Sequence, residues 1–371
     1  MKIPELPQIN NYKELFINDT KMMDVRAPVE FSQGAFPHTR NLPLMNDEER
    51  ESVGLHYKQM GQDKAIELGH ELVTGDVKNQ RVSEWTEFVK NNPQGVLYCF
   101  RGGLRSKITQ QWIYEASGII YPRIKGGYKA LRRFLIDELE TNTESIQPVI
   151  LGGRTGTGKT ILLNRLNNKI DLEGIFNHRG SVFGKHVNPQ PSQIDIENQL
   201  SVELLKLTDN NISNIIFEDE APNIGSRNIP ITLFSKMKMS PLILLEESVE
   251  DRVDIIFDEY ITHSLEQYIG EYNPDLGFKK WSDELLNSLS RVQRRLGGER
   301  YQIFNQIMQN AIEEQENTGN AQKHKDWIYK LLVDYYDPMY DYQLTKKTER
   351  VVFQGSKDEI ADYLRQHYEI S

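Results

Sequence analysis

The sequence of 371 residues has a single cysteine, no apolar run of about 18 residues, and fewer basic than acidic residues. One cysteine excludes a disulfide within the chain and makes a cysteine-based zinc site untenable. The missing apolar run predicts that no helix spans a membrane. Met1–Asn10 lacks the apolar core of a signal peptide, so we expect a cytoplasmic protein.

The net charge of −10 argues against a partner that is bound through its phosphates, because such binding uses Lys and Arg. This charge is an average over the whole chain, however, and a local basic patch would be enough to bind nucleic acid. The eight histidines show no H-E-x-x-H spacing. A site built from His, Asp and Glu remains open, and no metal site is certain.

A phosphate-binding loop is the strongest single pattern. Residues 153–160 read G-x-x-x-x-G-K-T, after a strand-like Pro148–Leu151 and before a helix that we predict from Ile161. In such a loop the backbone N–H groups surround a phosphate, the lysine adds a positive charge and the threonine is placed for Mg²⁺. The candidate phosphate-binding residues are Gly153, Arg154, Thr155, Gly156, Thr157, Gly158, Lys159 and Thr160. A chance glycine-rich turn is the alternative.

The partner of such a loop is an acidic residue at the end of a neighbouring strand. Ile215–Phe217 is followed by Glu218 and Asp219, and either acid would suit the metal side. We take Asp219 with Thr160 as the candidate pair for Mg²⁺. A solvated acidic strand end is an equally common reading of this pattern.

Cys99 is the second candidate centre. A lone cysteine is more often a small buried apolar residue. Here it follows a strand-like Val96–Tyr98 and precedes Arg101, Gly102, Gly103 and Arg105 at the start of a predicted helix. Glycines leave the backbone N–H groups accessible to a ligand. Nearby arginines and a helix N-terminus stabilise a thiolate or an anion bound to sulfur. The pattern therefore predicts a reactive thiol in an anion-binding loop.

A basic cluster lies between the two centres in the sequence. It contains Arg123, Lys125, Lys129, Arg132 and Arg133, with Tyr121 and Tyr128 interleaved. Basic and aromatic residues together are typical of an RNA-binding surface. On composition alone, a solvated helix face is the commoner outcome. Lys125, Lys129, Arg132 and Arg133 are the candidate RNA-binding residues.

The length favours two domains, and the polar stretch Thr141–Gln147 is the predicted boundary. We predict an α/β domain over residues 1–140 and a P-loop NTPase-like α/β domain over 141–371. The second domain carries a mostly helical insertion at about 249–345, with Trp281 and Trp327 as core residues.

Several strings together resemble a known family. Asp24-Val-Arg26, Glu30-Phe31 and Cys99 in its Gly/Arg loop resemble a rhodanese domain, which moves sulfur as a cysteine persulfide. The string 98–106 (YCFRGGLRS) and the string 125–130 (KGGYKA) are more specific. Together with the P-loop, and with His178–Ser181, Phe217–Glu220 and Arg295–Arg300, they resemble the tRNA 2-selenouridine synthase family over nearly the whole chain. Phe100, where tryptophan is expected, is a small departure.

This resemblance implies a two-step reaction at the wobble 2-thiouridine of tRNA. Geranyl diphosphate first alkylates the sulfur, and selenium from selenophosphate then replaces the S-geranyl group. It also places Asp24 with Cys99, Arg101, Gly102, Gly103 and Arg105 in the candidate catalytic set. No tightly bound cofactor is implied, although Mg²⁺ fits the P-loop. Whether that loop holds geranyl diphosphate, selenophosphate or a nucleotide stays open, and no sequence pattern marks a slot for the geranyl chain.

Two other classes of function remain as alternatives. A small-molecule sulfurtransferase of the rhodanese type with a kinase-like P-loop would sulfurate cyanide and ignore tRNA. A nucleotide-dependent scaffold protein would bind partners without needing Cys99.

Overall fold

A computed structural model describes residues 6–370 of the chain. Residues 1–5 and 371, which include the first half of Met1–Asn10 and the outer ends of both predicted domains, lie outside the described part. Two compact units are present. The first comprises Met1–Asn142 and Ser192–Asp209, and the second comprises Thr143–Pro191 and Asn210–Ser371.

A five-stranded parallel sheet in the order β1-β5-β4-β2-β3 forms the centre of the first unit. Its strands are β1 (Gln8–Ile9), β2 (Met22–Asp24), β3 (Thr39–Asn41), β4 (Val96–Tyr98) and β5 (Arg123–Ile124). The helices are α1 (Tyr12–Ile17), α2 (Pro28–Ser32), α3 (Asp47–Met60), α4 (Gln62–Leu72), α5 (Gly75–Asn91), α6 (Leu104–Ser117), α7 (Gly127–Ser145) and α10 (Gln193–Asp209).

Both faces of this sheet are buried, as a parallel sheet requires. Val96 and Tyr98 pack on one face with α1, α7 and α10, while Leu97 and Cys99 pack on the other face with α5 and α6. Successive strand side chains point to opposite faces, so this alternation determines which core receives the thiol.

The compact units differ from the predicted division in helix α10, which belongs to the first unit. Val202 and Leu205 of this helix are buried with Leu131 and Leu135 of α7. The predicted boundary at Thr141–Gln147 is also helical as far as Ser145. The packing of the apolar face of α10 therefore decides to which unit this helix belongs. The polar composition of Thr141–Gln147 does not set the boundary.

The second unit contains a four-stranded parallel sheet in the order β11-β10-β6-β7 and a small antiparallel pair, β8 with β9. The strands are β6 (Gln147–Gly153), β7 (Asn214–Glu218), β8 (Asn223–Ile224), β9 (Arg227–Asn228), β10 (Leu242–Leu245) and β11 (Val351–Gly355). The helices next to this sheet are α8 (Lys159–Leu163), α9 (Leu172–Phe176), α11 (Ile231–Met239) and α18 (Lys357–Tyr368). The α/β class of the prediction is confirmed.

Helices fill the chain between β10 and β11. They are α12 (Val249–Phe257), α13 (Ser264–Glu271), α14 (Pro274–Leu296), α15 (Gly298–Thr318), α16 (His324–Leu331) and α17 (Asp337–Leu344), with π-helical turns at Asp258–His263 and Leu332–Tyr336. Trp281 and Trp327 are fully buried in their common core, as predicted. None of the helices within residues 6–370 has the length and hydropathy needed to cross a membrane.

Candidate functional site

Cys99 follows β4 directly, at the carboxyl edge of the first unit's parallel sheet, where ligands bind in α/β folds. Its side chain is buried, and the thiol donates a hydrogen bond of 3.2 Å to Oγ of Ser106. The Ser106 hydroxyl in turn donates to the carbonyl of Gly103. Helix α6 begins at Leu104, so the loop from Cys99 to Gly103 lies between a strand end and a helix N-terminus.

The Cys99 loop is held from behind by residues 126–129. The N–H of Tyr128 donates to the carbonyl of Cys99 at 2.9 Å, and the N–H of Lys129 donates to that of Phe100 at 3.0 Å. Gly102 has a φ of +65°, and a Cβ there would come within 2.6 Å of the Ile124 carbonyl. These contacts leave no room for a side chain at Gly102, which explains the glycine at this position physically.

The front of the loop presents unpaired donors. Within residues 6–370, the N–H groups of Phe100, Arg101, Gly102 and Gly103 donate to no acceptor. Four such groups in succession, together with the first turn of α6, form an anion-binding concavity. This geometry supports the predicted anion loop around Cys99, Gly102 and Gly103.

The two predicted arginines of the loop differ in their partners. Arg105 forms a two-pronged ion pair with Glu30, at 2.5 and 3.1 Å. Burial by itself would raise the pKa of Glu30, but hydrogen bonds from Arg105 and its charge bring that pKa below the usual range. Arg101 is exposed and has no ion pair within the described residues. Arg101 is therefore the arginine that is free to meet an anion.

Asp24 lies at the end of the neighbouring strand, opposite Tyr98 in the register of β2 and β4. Both of its carboxylate oxygens accept from Arg26, at 2.8 and 2.9 Å, and the two side chains are buried. The Arg26 guanidinium lies 3.7 Å from the centre of the Tyr128 ring. This pairing suits Asp24 to positioning the loop's surroundings.

Arg123 is a functional candidate that the sequence placed only in the basic cluster. It is the first residue of β5 and pairs with Leu97 of β4. Its Nε and one terminal nitrogen are buried without a hydrogen-bond partner. Burial lowers the pKa of this guanidinium, and the charge of Cys99 raises it. An unpaired cation beside the thiol is suited to stabilise an anion there. The spacing of the basic residues in the sequence gave no sign that Arg123 is partly buried in the sheet.

The four candidate tRNA-binding residues fall into two kinds. Lys125 and Lys129 are exposed and form no ion pair within residues 6–370. Arg132 instead binds Glu197 and the side-chain oxygen of Asn198, and Arg133 pairs with its helical neighbour at 137. The two lysines are thus the available cations of this cluster.

In the second unit, the P-loop connects β6 to α8. Gly153, Gly156 and Gly158 have φ values of +156°, +82° and +76°, which favour glycine. The N–H groups of Thr155, Gly156 and Gly158 donate to no acceptor within the described residues. The ammonium of Lys159 folds back to the Gly153 carbonyl at 3.2 Å. This is the geometry of a phosphate cradle.

Two other predicted residues of the P-loop make contacts within the protein. Arg154 pairs with Asp341 at 2.8 Å. Thr157 donates to the Arg154 carbonyl, so its hydroxyl closes the loop internally. The loop is fixed from outside by Arg252, which donates to the Thr155 carbonyl at 2.9 Å and is nearly fully buried.

The acid beside Thr160 is Glu218, not Asp219. The Thr160 hydroxyl donates to Oε1 of Glu218 at 2.7 Å, whereas both oxygens of Asp219 accept from Lys347 at 2.7 Å. Side chains alternate along a strand and its continuation, so consecutive acids face different ways. Glu218, the other acid considered in the sequence, is the one that the fold turns toward the loop.

Glu218 also carries a buried Oε2 that has no hydrogen-bond partner. Burial, followed by the repulsion from Glu220, raises the pKa of Glu218 to about 7, and burial with nearby carboxylates raises that of Glu173 to about 10. A divalent cation would relieve this clustering of acids. The Thr160 hydroxyl and the unpaired Glu218 oxygen therefore fit Mg²⁺, which typically takes few protein ligands and fills the others from water and phosphate.

A cavity of about 340 Å³ opens over the P-loop. Four acidic residues line it, Glu173, Asp219, Glu220 and Glu259, together with the cations Lys159, Arg179 and Arg295. No group of three or more ligand-type side chains that could by itself hold a metal ion occurs within residues 6–370. Sequence reasoning gave no role to Arg179, although it lies in one of the strings that carried the family resemblance.

Comparison with known proteins identifies relatives of nearly full length. A family described as "tRNA 2-selenouridine synthase AAA domain" matches residues 146–370. A tRNA 2-selenouridine synthase of Marinobacter nauticus is 53% identical to this chain, over 97% of the chain and 98% of the relative. Proteins of the same name from Pseudomonas savastanoi pv. phaseolicola and Sulfurovum sp. are 51% and 47% identical, with at least 96% of each chain covered.

Proposed function

The chain belongs to the tRNA 2-selenouridine synthase family, and on that premise we propose that it converts wobble 2-thiouridine in tRNA to 2-selenouridine through an S-geranyl intermediate. The observation that carries the proposal is the extent of the match. Relatives of that name cover at least 96% of the chain, so the match includes both the Cys99 loop and the P-loop. A tRNA substrate places this activity in the cytoplasm.

The first step joins the uridine sulfur to geranyl diphosphate. The sulfur attacks the carbon next to oxygen, a carbon–sulfur bond forms, and the carbon–oxygen bond breaks. Diphosphate leaves with the electron pair, and the uridine releases its ring proton. Negative charge grows on the leaving oxygen, so the P-loop N–H groups and Lys159 act most strongly in the transition state.

Mg²⁺ would assist this step by neutralising charge on the diphosphate. Thr160 and Glu218 are the residues that would hold it. The four carboxylates that line the cavity would otherwise repel a polyanionic substrate, since its described lining contains only three cations, Lys159, Arg179 and Arg295.

The second step exchanges sulfur for selenium. A selenium–carbon bond forms at the uridine carbon that carries the S-geranyl group. The bond between this carbon and sulfur breaks, and geranyl thiolate leaves with the electron pair. Water then opens the phosphorus–selenium bond and releases phosphate, so no net oxidation or reduction occurs. The unpaired N–H groups of the Cys99 loop, with Arg101 and Arg123, suit the selenophosphate anion.

We assign Cys99 to this exchange. Selenophosphate carries selenium at the selenide level, so forming an S–Se group on the thiol would need a two-electron oxidant that neither the protein nor the proposed substrates supply. The selenium of selenophosphate therefore attacks the uridine carbon directly, and Cys99 lies in the loop that would hold the selenophosphate. Turnover that needs no added oxidant or thiol is expected for this route.

The test uses purified protein, an anticodon-arm RNA with 2-thiouridine, geranyl diphosphate and selenophosphate. Mass spectrometry of the nucleosides should show S-geranyl-2-thiouridine when selenophosphate is omitted and 2-selenouridine when both are present. Cys99→Ala should stop at the geranylated nucleoside. A protein that sulfurates cyanide while leaving the RNA unchanged would instead support the sulfurtransferase alternative.

A further inference from the structure

An apolar cavity of about 230 Å³ opens in the first unit, between α3, α4 and α6. The atoms that line it are all apolar. Val53, Ile66 and Trp112 are among them, and the large side chains Tyr57 and Leu104 on its rim are exposed. A concave surface of this composition favours a hydrocarbon over any polar or charged ligand.

This cavity shares a wall with the cysteine centre. Leu104 and Arg105, which follow the Cys99 loop, line it on one side. On the other side, Val73 and Trp112 line the cavity and also belong to the buried cluster that contains Cys99. A chain inside the cavity would therefore have one end near the loop where we place the selenium exchange.

The volume suits about ten carbon atoms. An apolar cavity of about 150 Å³ accommodates benzene, which has six carbons. By the same ratio, ten carbons need about 250 Å³. The 230 Å³ of this cavity, which is open at its rim, is close to that volume.

We propose that the cavity binds the geranyl chain of the S-geranyl uridine during the selenium exchange. The inference rests on the function proposed above and adds the place where the intermediate is recognised. It assigns the cavity to the neutral thioether rather than to geranyl diphosphate, because the adjoining Cys99 loop is the centre to which the proposed function gives the selenium exchange, and Arg105 on the cavity wall is bound to Glu30.

Chain-length selectivity tests the proposal. RNA anticodon arms carrying S-methyl, S-dimethylallyl, S-geranyl or S-farnesyl 2-thiouridine are given to the enzyme with selenophosphate, and kcat/KM is measured for each. The wild-type enzyme should prefer geranyl, by about fourfold for each methylene-sized group that the cavity buries relative to the shorter chains. Farnesyl should gain nothing further, since the cavity is full.

Two variants change the cavity in opposite directions. Val53→Phe fills space from a half-buried wall position and should lower the geranyl-to-methyl ratio of kcat/KM about tenfold. Ile66→Ala enlarges the cavity and should move the preference toward farnesyl. Val77→Phe makes the same substitution as the first variant at an exposed position of α5 and should leave the ratio unchanged.

The outcomes separate this proposal from the function on which it rests. A wild-type enzyme that exchanges selenium into every S-alkyl RNA at one rate would overturn the cavity assignment and leave the function intact. The same conclusion follows if both cavity variants keep the wild-type ratio. An enzyme that exchanges selenium into none of the four RNAs would overturn the proposed function itself.

Discussion

Replacing Lys159 tests whether the P-loop serves the geranyl transfer alone. The ammonium lies over the loop, 3.2 Å from the Gly153 carbonyl, and lines the cavity with Glu173, Glu220 and Glu259. Lys159→Met keeps much of the apolar stem and removes the charge. We expect geranyl transfer to fall sharply, because the departing diphosphate loses a cation that is already in place.

The magnitude follows from the kind of contact. A hydrogen bond to a charged group contributes about 1.5–3 kcal/mol. Each 1.36 kcal/mol is a factor of ten in rate, so the loss should be about 10- to 150-fold. The true value should lie toward the upper end, since the variant leaves the cavity's carboxylates facing the diphosphate with one cation fewer.

The assay separates the two half-reactions. One RNA carries 2-thiouridine and is supplied with geranyl diphosphate, and the other is already S-geranylated and is supplied with selenophosphate. Lys159→Met should fail on the first and exchange selenium on the second at a substantial rate, whereas Cys99→Ala should fail on the second. Lys169→Met is the matched control, because Lys169 is half-buried, its ammonium donates to Asn164, and it does not line the cavity.

One result would refute this reasoning. If Lys159→Met and Cys99→Ala were equally inactive on the S-geranylated RNA, the P-loop would hold selenophosphate or couple both steps. The assignment of one half-reaction to each centre would then be wrong.

Three further predictions concern other parts of the chain. Arg123→Gln should slow selenium exchange about tenfold or more while geranyl transfer persists, since it removes an unpaired cation beside the reactive cysteine; equal rates in the exchange assay would contradict this. Changing Lys125 and Lys129 to Glu should weaken tRNA binding in a salt-titrated gel-shift assay and make the salt dependence less steep, because two phosphate contacts are lost. Unaltered affinity would make the cluster a solvated face. Burial lowers the pKa of His324 to about 4. Between about pH 6.5 and 4 this histidine is therefore protonated in the unfolded chain and neutral in the folded chain. Unfolding free energy should therefore fall by about 1.4 kcal/mol per pH unit between pH 6.5 and 4, relative to a His324→Phe variant, in urea titrations followed by tryptophan fluorescence; parallel pH profiles of the two proteins would refute it.

Local sequence patterns predicted the elements and the loops. Buried apolar runs predicted β4, β6 and β7 because strands of a parallel sheet are covered on both faces. The G-x-x-x-x-G-K-T spacing predicted a strand, a loop and a helix in that order, since its chemistry needs consecutive N–H groups at a helix start. These features depend on neighbours within a few residues, so the sequence shows them directly.

Partners across the fold were not predictable in the same way. Sequence offered Glu218 and Asp219 equally, and only the strand's orientation turned Glu218 toward Thr160 while Asp219 met Lys347. No sequence pattern predicts the ion pair between Glu30 and Arg105. Such pairings join residues that are 58 to 128 positions apart, and they follow from the packing of whole elements.

The sequence by itself determined the α/β class, the phosphate loop and the cysteine loop, because short-range stereochemistry of glycine, strand and helix ends dictates them. Tertiary structure decided which charges are free. It paired Arg105 and Arg132 with carboxylates and left Arg101, Arg123, Lys125 and Lys129 without ion pairs among the described residues. It also formed the apolar cavity beside the thiol from three helices. Availability of a charge or a cavity is a property of what surrounds it in space, and no spacing of residues along the chain encodes it locally.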